Sequence, residues 1–124
     1  MAKAGVKVLY GECDAEVLAG QAPAIQKAGY QVQTAVGRQG VQEALKKEAF
    51  DVIVLGATLT RNDRHHLPYM AKKSHAATRV FVMHTDGERH PYVDGNIDTG
   101  RTIEEMVELI SRSFPKSAAA TAGK

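Results

Sequence analysis

The chain has 124 residues, of which 44% are hydrophobic and 24% charged, as expected for one globular domain with a single core. Its formal net charge is +2 and its basic residues are scattered, so the composition does not favour nucleic-acid or membrane binding. A single cysteine excludes an intramolecular disulfide. No segment has the roughly 18 apolar residues of a membrane span and the N-terminus lacks a signal-peptide pattern, so we expect a cytoplasmic protein.

The first half of the chain predicts two strand and helix units. Residues 6–10 form a short apolar run, and Asp14 stands at the N-cap of a helix that we expect to kink near Pro23 and to end at Gly29. The segment "YQVQTA" alternates as a second strand. In the following amphipathic helix, "GRQGVQEALKKEAF", the inward residues are predicted to be Val41, Ala44, Leu45 and Phe50.

The second half continues the alternation of strands and helices. Residues 52–55 are apolar on both faces, as in a central parallel strand, and "RVFVMHT" has the same character. Between them "HHLPYMAKKSHA" is a weaker helix, and "TIEEMVELISRSF" is a helix that begins with a capping box of Thr102 and Glu105. We therefore predict an α/β fold over residues 1–115, with a flavodoxin-like, doubly wound parallel sheet of five strands in the order 2-1-3-4-5. Residues 116–124 are predicted to be a disordered tail.

From "KVLYGECD" to "EMVELISRSF" the chain resembles the receiver domain of two-component response regulators. The segment "KAGYQVQTA" is similar to the second strand of that family, and the spacing from Lys7 to Gly56 needs no gap. Beyond Phe81 the resemblance requires a deletion, because too little chain remains for a full fourth helix before the fifth strand. We expect that helix to be shortened or missing, the fifth strand to be short and near residues 94–98, and fewer than four helices to be fully formed.

The resemblance implies a phosphorylation pocket at the carboxyl ends of the strands, and this chain lacks most of its residues. The phosphoryl acceptor of receivers, an Asp, falls on Gly56, which has no carboxylate and cannot form an acyl phosphate. The acid pair that holds Mg²⁺ falls on Glu12 and Cys13, with Asp14 following, and the lysine falls on Thr99. The switch hydroxyl falls on His84, although a shift of one residue would supply it from Thr85. We therefore expect no catalytic residue, no enzyme activity and no cofactor. The vestigial phosphorylation pocket consists of Glu12, Cys13, Asp14, Gly56, His84, Thr85 and Thr99.

The residues that remain in this pocket have alternative roles. We predict that Asp14 caps the first helix and that Glu12 is a solvated acid, although both could bind a cation. Cys13 is expected to be a small packed residue rather than a reactive thiol. His84 is expected to fill the space that the missing carboxylate leaves, rather than to sense pH. A transition-metal site is a weaker alternative without recognised ligand spacing, and its candidates are Cys13, Asp63, His65, His66 and His84.

The favoured function is a phosphorylation-independent pseudo-receiver that acts as a protein–protein interaction module in bacterial signalling. An interaction module does not need the phosphorylation chemistry for which this sequence lacks the residues. Only ten residues follow Phe114, so we expect the chain to act through a separate protein partner or by self-association. The alternative is a small-ligand or metal sensor at the carboxyl edge of the sheet. An enzyme or cofactor carrier is disfavoured because, for example, the Asp-x-His-x-x-Gly loop of cobalamin-binding domains is absent from the sequence.

The predicted interaction surface lies around the fourth strand, the segment 85–100 and the last helix. A shortened fourth helix would uncover part of the fourth and fifth strands, and an exposed apolar patch of several hundred Å² marks a binding site. The residues expected on this surface are Val80, Val82, His90, Tyr92, Val93 and Ile97.

Overall fold

A computed structural model describes residues 6–56, 58–75, 77–83, 93–97 and 102–113 of the chain. Five parallel strands form one sheet in the order β2-β1-β3-β4-β5, which is the predicted α/β architecture. The strands are β1 (Lys7–Glu12), β2 (Gln31–Val36), β3 (Val52–Leu55), β4 (Arg79–Met83) and β5 (Gly95–Ile97). The helices are α1 (Ala15–Lys27), α2 (Gly37–Lys47), α3 (Arg61–Ser74) and α4 (Ile103–Ser113). No helix in these ranges is long and apolar enough to cross a membrane.

The two faces of the sheet carry two separate apolar cores. Because successive strand residues point to opposite faces, Val8 and Tyr10 of β1 pack against α1 and α4, whereas Leu9 packs against α2 and α3. β3 divides in the same way and all four of its side chains are buried. This burial on both faces explains why the central strands read as continuous apolar runs.

The starts of α1 and α4 use the predicted capping residues. The Asp14 carboxylate accepts hydrogen bonds from the backbone nitrogens of Glu16 and Val17, at 2.9 and 3.3 Å. Thr102 and Glu105 form the reciprocal bonds of a capping box at the start of α4. α1 ends at Lys27 with Ala28 as its C-cap, two residues earlier than predicted, and the chain then turns at Gly29, which has a φ of 105°. α1 continues through Pro23, and the kink expected there stays a prediction.

The expectation of fewer than four fully formed helices is wrong, because four helices of 11 to 14 residues are present. The helix predicted to be weaker, α3, is the longest of these four. Its N-cap is Thr60, whose hydroxyl accepts a hydrogen bond from the backbone nitrogen of Asp63. Leu67 and Ala71 of α3 are buried against the sheet, and this tertiary packing outweighs a weak local pattern. The predicted short helix between β4 and β5 lies outside the described residues.

The predicted approach of Val80 and Val82 to solvent is also wrong. Their side chains are 0% and 1% exposed, because they point to the α2 and α3 face, where the side chains of these helices cover them. Val93 is partly buried against the same core. His90 and Tyr92 lie outside the described residues and the side chain of Ile97 is not described, so the proposal of an interaction surface near residues 90–97 stays a prediction.

Candidate functional site

Parallel pairing of β1 and β3 brings Glu12 next to Gly56 at the carboxyl edge of the sheet. Gly11 is paired with Leu55, and the backbone nitrogen of Gly56 donates a hydrogen bond to the oxygen of Gly11 at 2.8 Å. The side chain of Glu12, which ends β1, is only 1% exposed. The prediction that Glu12 is a solvated acid is therefore wrong, because its carboxylate turns into the protein.

The Glu12 carboxylate occupies the space in which a side chain at position 56 would begin. A Cβ atom built on Gly56 would lie 1.9 Å from Cδ of Glu12, and 2.0 and 2.2 Å from its two carboxylate oxygens. Such separations are impossible between non-bonded atoms, so this packing requires glycine at position 56. We predicted that His84 fills the vacated space, but Glu12 occupies it, and His84 lies outside the described residues.

Three hydrogen bonds hold the Glu12 carboxylate in place. Its Oε1 accepts from the backbone nitrogen of Thr58 at 2.9 Å and from the Thr58 hydroxyl at 2.7 Å. Its Oε2 accepts from the hydroxyl of Tyr10. Within the described part of the chain these neutral donors, and no cation, satisfy the buried charge. A buried carboxylate needs such partners, because an unsatisfied one would lose its hydration without compensation.

Thr58 connects the carboxylate to the loop that follows β1. While its hydroxyl donates to Glu12, the same oxygen accepts hydrogen bonds from the backbone nitrogens of Cys13 and Asp14, at 2.8 and 3.0 Å. A hydroxyl has one proton to donate and two lone pairs to accept with, so Thr58 is fully used. The turn after β1 and the turn after β3 are therefore joined through one side chain.

Tyr10 contributes a donor that stays protonated. Burial, followed by the hydrogen bond to Glu12 and the negative charge of Glu12, raises the pKa of the Tyr10 phenol above its ordinary range. The Tyr10 oxygen also lies 2.6 Å from Oε1 of Gln21, in α1. Because a phenol has one proton, it can donate to only one of these two acceptors at a time.

The predictions for the other residues of the vestigial phosphorylation pocket differ in how well they agree with the structure. Asp14 is the N-cap of α1, as predicted, and its carboxylate is engaged there. Cys13 is exposed, so the prediction that it is packed is wrong. The side chain of Cys13 leaves the core because the adjacent Glu12 already points inward and the chain alternates at the strand end. His84, Thr85 and Thr99 lie outside the described residues, and their roles stay predictions.

The candidate metal ligands on α3 are engaged by an arginine of α2. Nη1 of Arg38 lies 3.6 Å from Oδ1 of Asp63, and Nη2 of Arg38 donates a hydrogen bond of 2.5 Å to Nδ1 of His66. In the ranges that the structure describes, no group of three or more His, Cys, Asp or Glu residues could hold a metal ion. The side chain of His65 is not described.

Tyr10 and Thr58 belong to this site although the sequence pattern did not single them out. A signal for Tyr10 was present, because it stands two residues before Glu12 and so shares its strand face. Thr58 stands two residues after Gly56, in the segment "GATLT". Neither position is enough to predict a hydrogen bond to Glu12, because Glu12 turns inward only where Gly56 leaves an empty volume.

Comparison with known proteins identifies the fold. No protein-family model matches the chain, and no curated protein matches it. Among solved structures, a CheY-like response regulator receiver domain protein from Methanospirillum hungatei is 15% identical, with a TM-score of 0.75 over 92% of this chain and 97% of that chain. The response regulator TrrA from Thermotoga maritima, solved in complex with Mg(2+)-BeF, is 11% identical, with a TM-score of 0.73 over 86% and 97%. HP1043, an orphan response regulator of H. pylori, is 14% identical, with a TM-score of 0.69 over 89% and 97%. The chain therefore has the fold of response regulator receiver domains.

Proposed function

We propose that the chain is a phosphorylation-independent pseudo-receiver, a protein–protein interaction module of bacterial signalling that has no enzyme activity. The observation that carries the proposal is the Glu12 carboxylate in the space beside Gly56. A phosphoryl acceptor needs a carboxylate oxygen that is open to the donor. Position 56 has no carboxylate, and the adjoining volume is already occupied.

Glu12 itself is a poor substitute for the missing acceptor. Its side chain is buried, and both of its oxygens already accept hydrogen bonds from Tyr10 or Thr58. Phosphoryl transfer requires the attacking oxygen to approach phosphorus in line with the leaving group. Reaching that geometry would require Glu12 to leave its three donors. Because the Glu12 carboxylate points inward, it is also not available as one of the oxygen ligands that Mg²⁺ requires.

The fold supports a role in signalling without chemistry. The fold neighbours are receiver domains, and one of them is described as an orphan response regulator. A scaffold whose acceptor position is empty can still present helices and loops to a partner. We propose that the hydrogen bonds among Glu12, Thr58 and the loop after β1 fix the carboxyl edge in one arrangement, so that binding does not depend on a phosphoryl group.

The proposal is tested with phosphodonors. The protein is incubated with acetyl phosphate and Mg²⁺, or with beryllofluoride and Mg²⁺, and followed by intact mass and by amide NMR shifts. We expect no phosphoryl mass increment and no specific shift at residues 12–14 or 56–58. The positive control is the Thermotoga maritima TrrA protein, whose structure contains Mg(2+)-BeF. A stoichiometric mass increment or saturable shifts at the carboxyl edge would overturn the proposal.

A further inference from the structure

Tyr69 is an exposed aromatic residue on α3. Its side chain is 40% exposed, whereas the other Tyr and Phe side chains in the described ranges are buried. These buried aromatic residues are Tyr10, Tyr30, Phe50 and Phe81. An exposed tyrosine on a helix in the middle of a domain has no core to stabilise, and tyrosine is among the residues that most often dominate binding at interfaces.

Two side chains of α3 lie against the Tyr69 ring. The imidazole of His66 stacks on its ring, with centroids 6.2 Å apart and an angle of 23° between the planes. Nζ of Lys73 lies 5.9 Å from the ring centroid on α3, within the range of a cation–π contact. Arg38 of α2 donates the 2.5 Å hydrogen bond that orients His66. We call these four residues, Arg38, His66, Tyr69 and Lys73, the Tyr69 surface.

The helix layer that carries the Tyr69 surface is strongly basic. α2 and α3 contain seven Lys and Arg residues against two acidic residues. On the opposite face of the sheet, α1 and α4 contain two basic residues against four acidic ones. The small net charge of the whole chain therefore conceals two layers of opposite sign, and the layer around Tyr69 attracts negatively charged partners.

Helix stability explains only part of this charge. Lys46, Lys47, Lys72 and Lys73 lie in the last turns of α2 and α3, where cations stabilise the helix dipole. Arg38 lies in the first turn of α2, where a cation opposes the dipole and where no acidic residue is present. Its side chain is 42% exposed although it contacts both Asp63 and His66. Arg38 therefore contributes an accessible cation next to His66, which stacks on Tyr69, at a position unfavourable for the helix.

We infer that the Tyr69 surface binds an acidic segment of a partner protein, with carboxylates at Arg38 and Lys73 and an apolar side chain against the Tyr69 ring. The inference rests on the proposed function as an interaction module and names a surface different from residues 90–97. A protein segment fits better than a nucleic acid, because the formal net charge of the chain is only +2, whereas nucleic-acid binding is typical of strongly basic domains. A second copy of this chain is a less suitable partner. Its acidic helix layer would contact the basic helix layer of the first copy, and such a head-to-tail contact need not form a closed oligomer.

The test uses a synthetic peptide of repeated Glu-Glu-Leu units and a matched peptide of Lys-Lys-Leu units, titrated into the full chain and followed by amide NMR shifts. We expect saturable shifts at residues 38 and 63–73 with the acidic peptide only. Tyr69→Ala should weaken binding at least about tenfold, the size typical of an interface hot spot. Lys73→Glu should also weaken it. The matched control is Lys27→Glu, the same charge change in the last turn of α1 on the opposite layer, and it should leave binding unchanged.

Several outcomes would overturn the inference. These are no saturable shift with the acidic peptide, equal binding of both peptides, shifts confined to residues 93–97, or equal losses in Lys73→Glu and Lys27→Glu. Tighter binding of a single-stranded oligonucleotide at Tyr69, or self-association that Lys73→Glu abolishes, would identify a different occupant. If the protein resists phosphodonors but the peptide binds at 93–97, the proposed function survives and only the Tyr69 inference fails. A phosphoryl mass increment would instead overturn the proposed function.

Discussion

Replacing Gly56 with alanine tests whether Glu12 occupies the space beside this residue. The new Cβ would overlap Cδ of Glu12 at 1.9 Å, so the carboxylate would have to leave its site. It would give up three hydrogen bonds and leave the buried Tyr10 hydroxyl with Gln21 as its remaining neighbour. Hydrogen bonds to a charged group contribute about 1.5–3 kcal/mol each, and rehydration of the carboxylate offsets part of the loss. We expect Gly56→Ala to lower the free energy of unfolding by about 2–4 kcal/mol.

The same reasoning predicts strong coupling between positions 12 and 56. In the Glu12→Ala background the overlapping atoms are gone, so adding Gly56→Ala should change the free energy of unfolding by less than about 1 kcal/mol. The assay is urea unfolding followed by circular dichroism for the wild type, both single variants and the double variant. Gly20→Ala is the control: nothing lies within 4 Å of a Cβ there, and Ala in a helix should stabilise by about 0.5–1 kcal/mol. A Gly56→Ala protein as stable as the wild type, or additive effects in the double variant, would refute the reasoning.

Three further predictions concern the same edge of the sheet. Gly56→Asp should not form an acyl phosphate with acetyl phosphate and Mg²⁺, because Cys13 stands at the position of one magnesium-binding acid of receivers and Thr99 at the position of their lysine; a phosphoryl increment in its intact mass would contradict this. The pKa of Tyr10 is higher in the folded state than in the unfolded chain, where it is about 10. The stabilisation that comes from protonated Tyr10 is therefore complete below about pH 10. Above that pH it falls by up to about 1.4 kcal/mol per pH unit. Urea unfolding between pH 8 and 11 should therefore show a shallower decline for Tyr10→Phe than for the wild type, and equal declines would count against a raised pKa of the Tyr10 phenol. Asp14→Ala should cost about 1 kcal/mol through loss of the α1 cap, whereas an unchanged urea midpoint would show that Glu16 and Val17 find other partners.

The sequence by itself determined the features that depend only on residues close together along the chain. Asp14 and Thr102 stand one turn before apolar residues at helical spacing, and each caps a helix through backbone groups within three residues. The doubly apolar run at 52–55 could be stable only in a strand covered on both faces, which indicated a parallel sheet with helices on each side. The absence of a carboxylate at the end of β3 was also visible in the sequence, because it depends only on the residue at position 56 and on the end of one strand.

Tertiary structure decided what fills the space at Gly56 and which side chains reach solvent. Glu12 reads as a surface acid, and it is buried only because β3 brings Gly56 and Thr58 beside it from 44 to 46 residues away. Val80 and Val82 were expected near solvent, but side chains of α2 and α3 cover them, which depends on helix placement. The contact of Arg38 with His66 likewise joins two helices whose separate sequences do not specify their packing. Local patterns fix which backbone conformation is favourable, whereas burial of a charge depends on volume and donors supplied by distant parts of the chain.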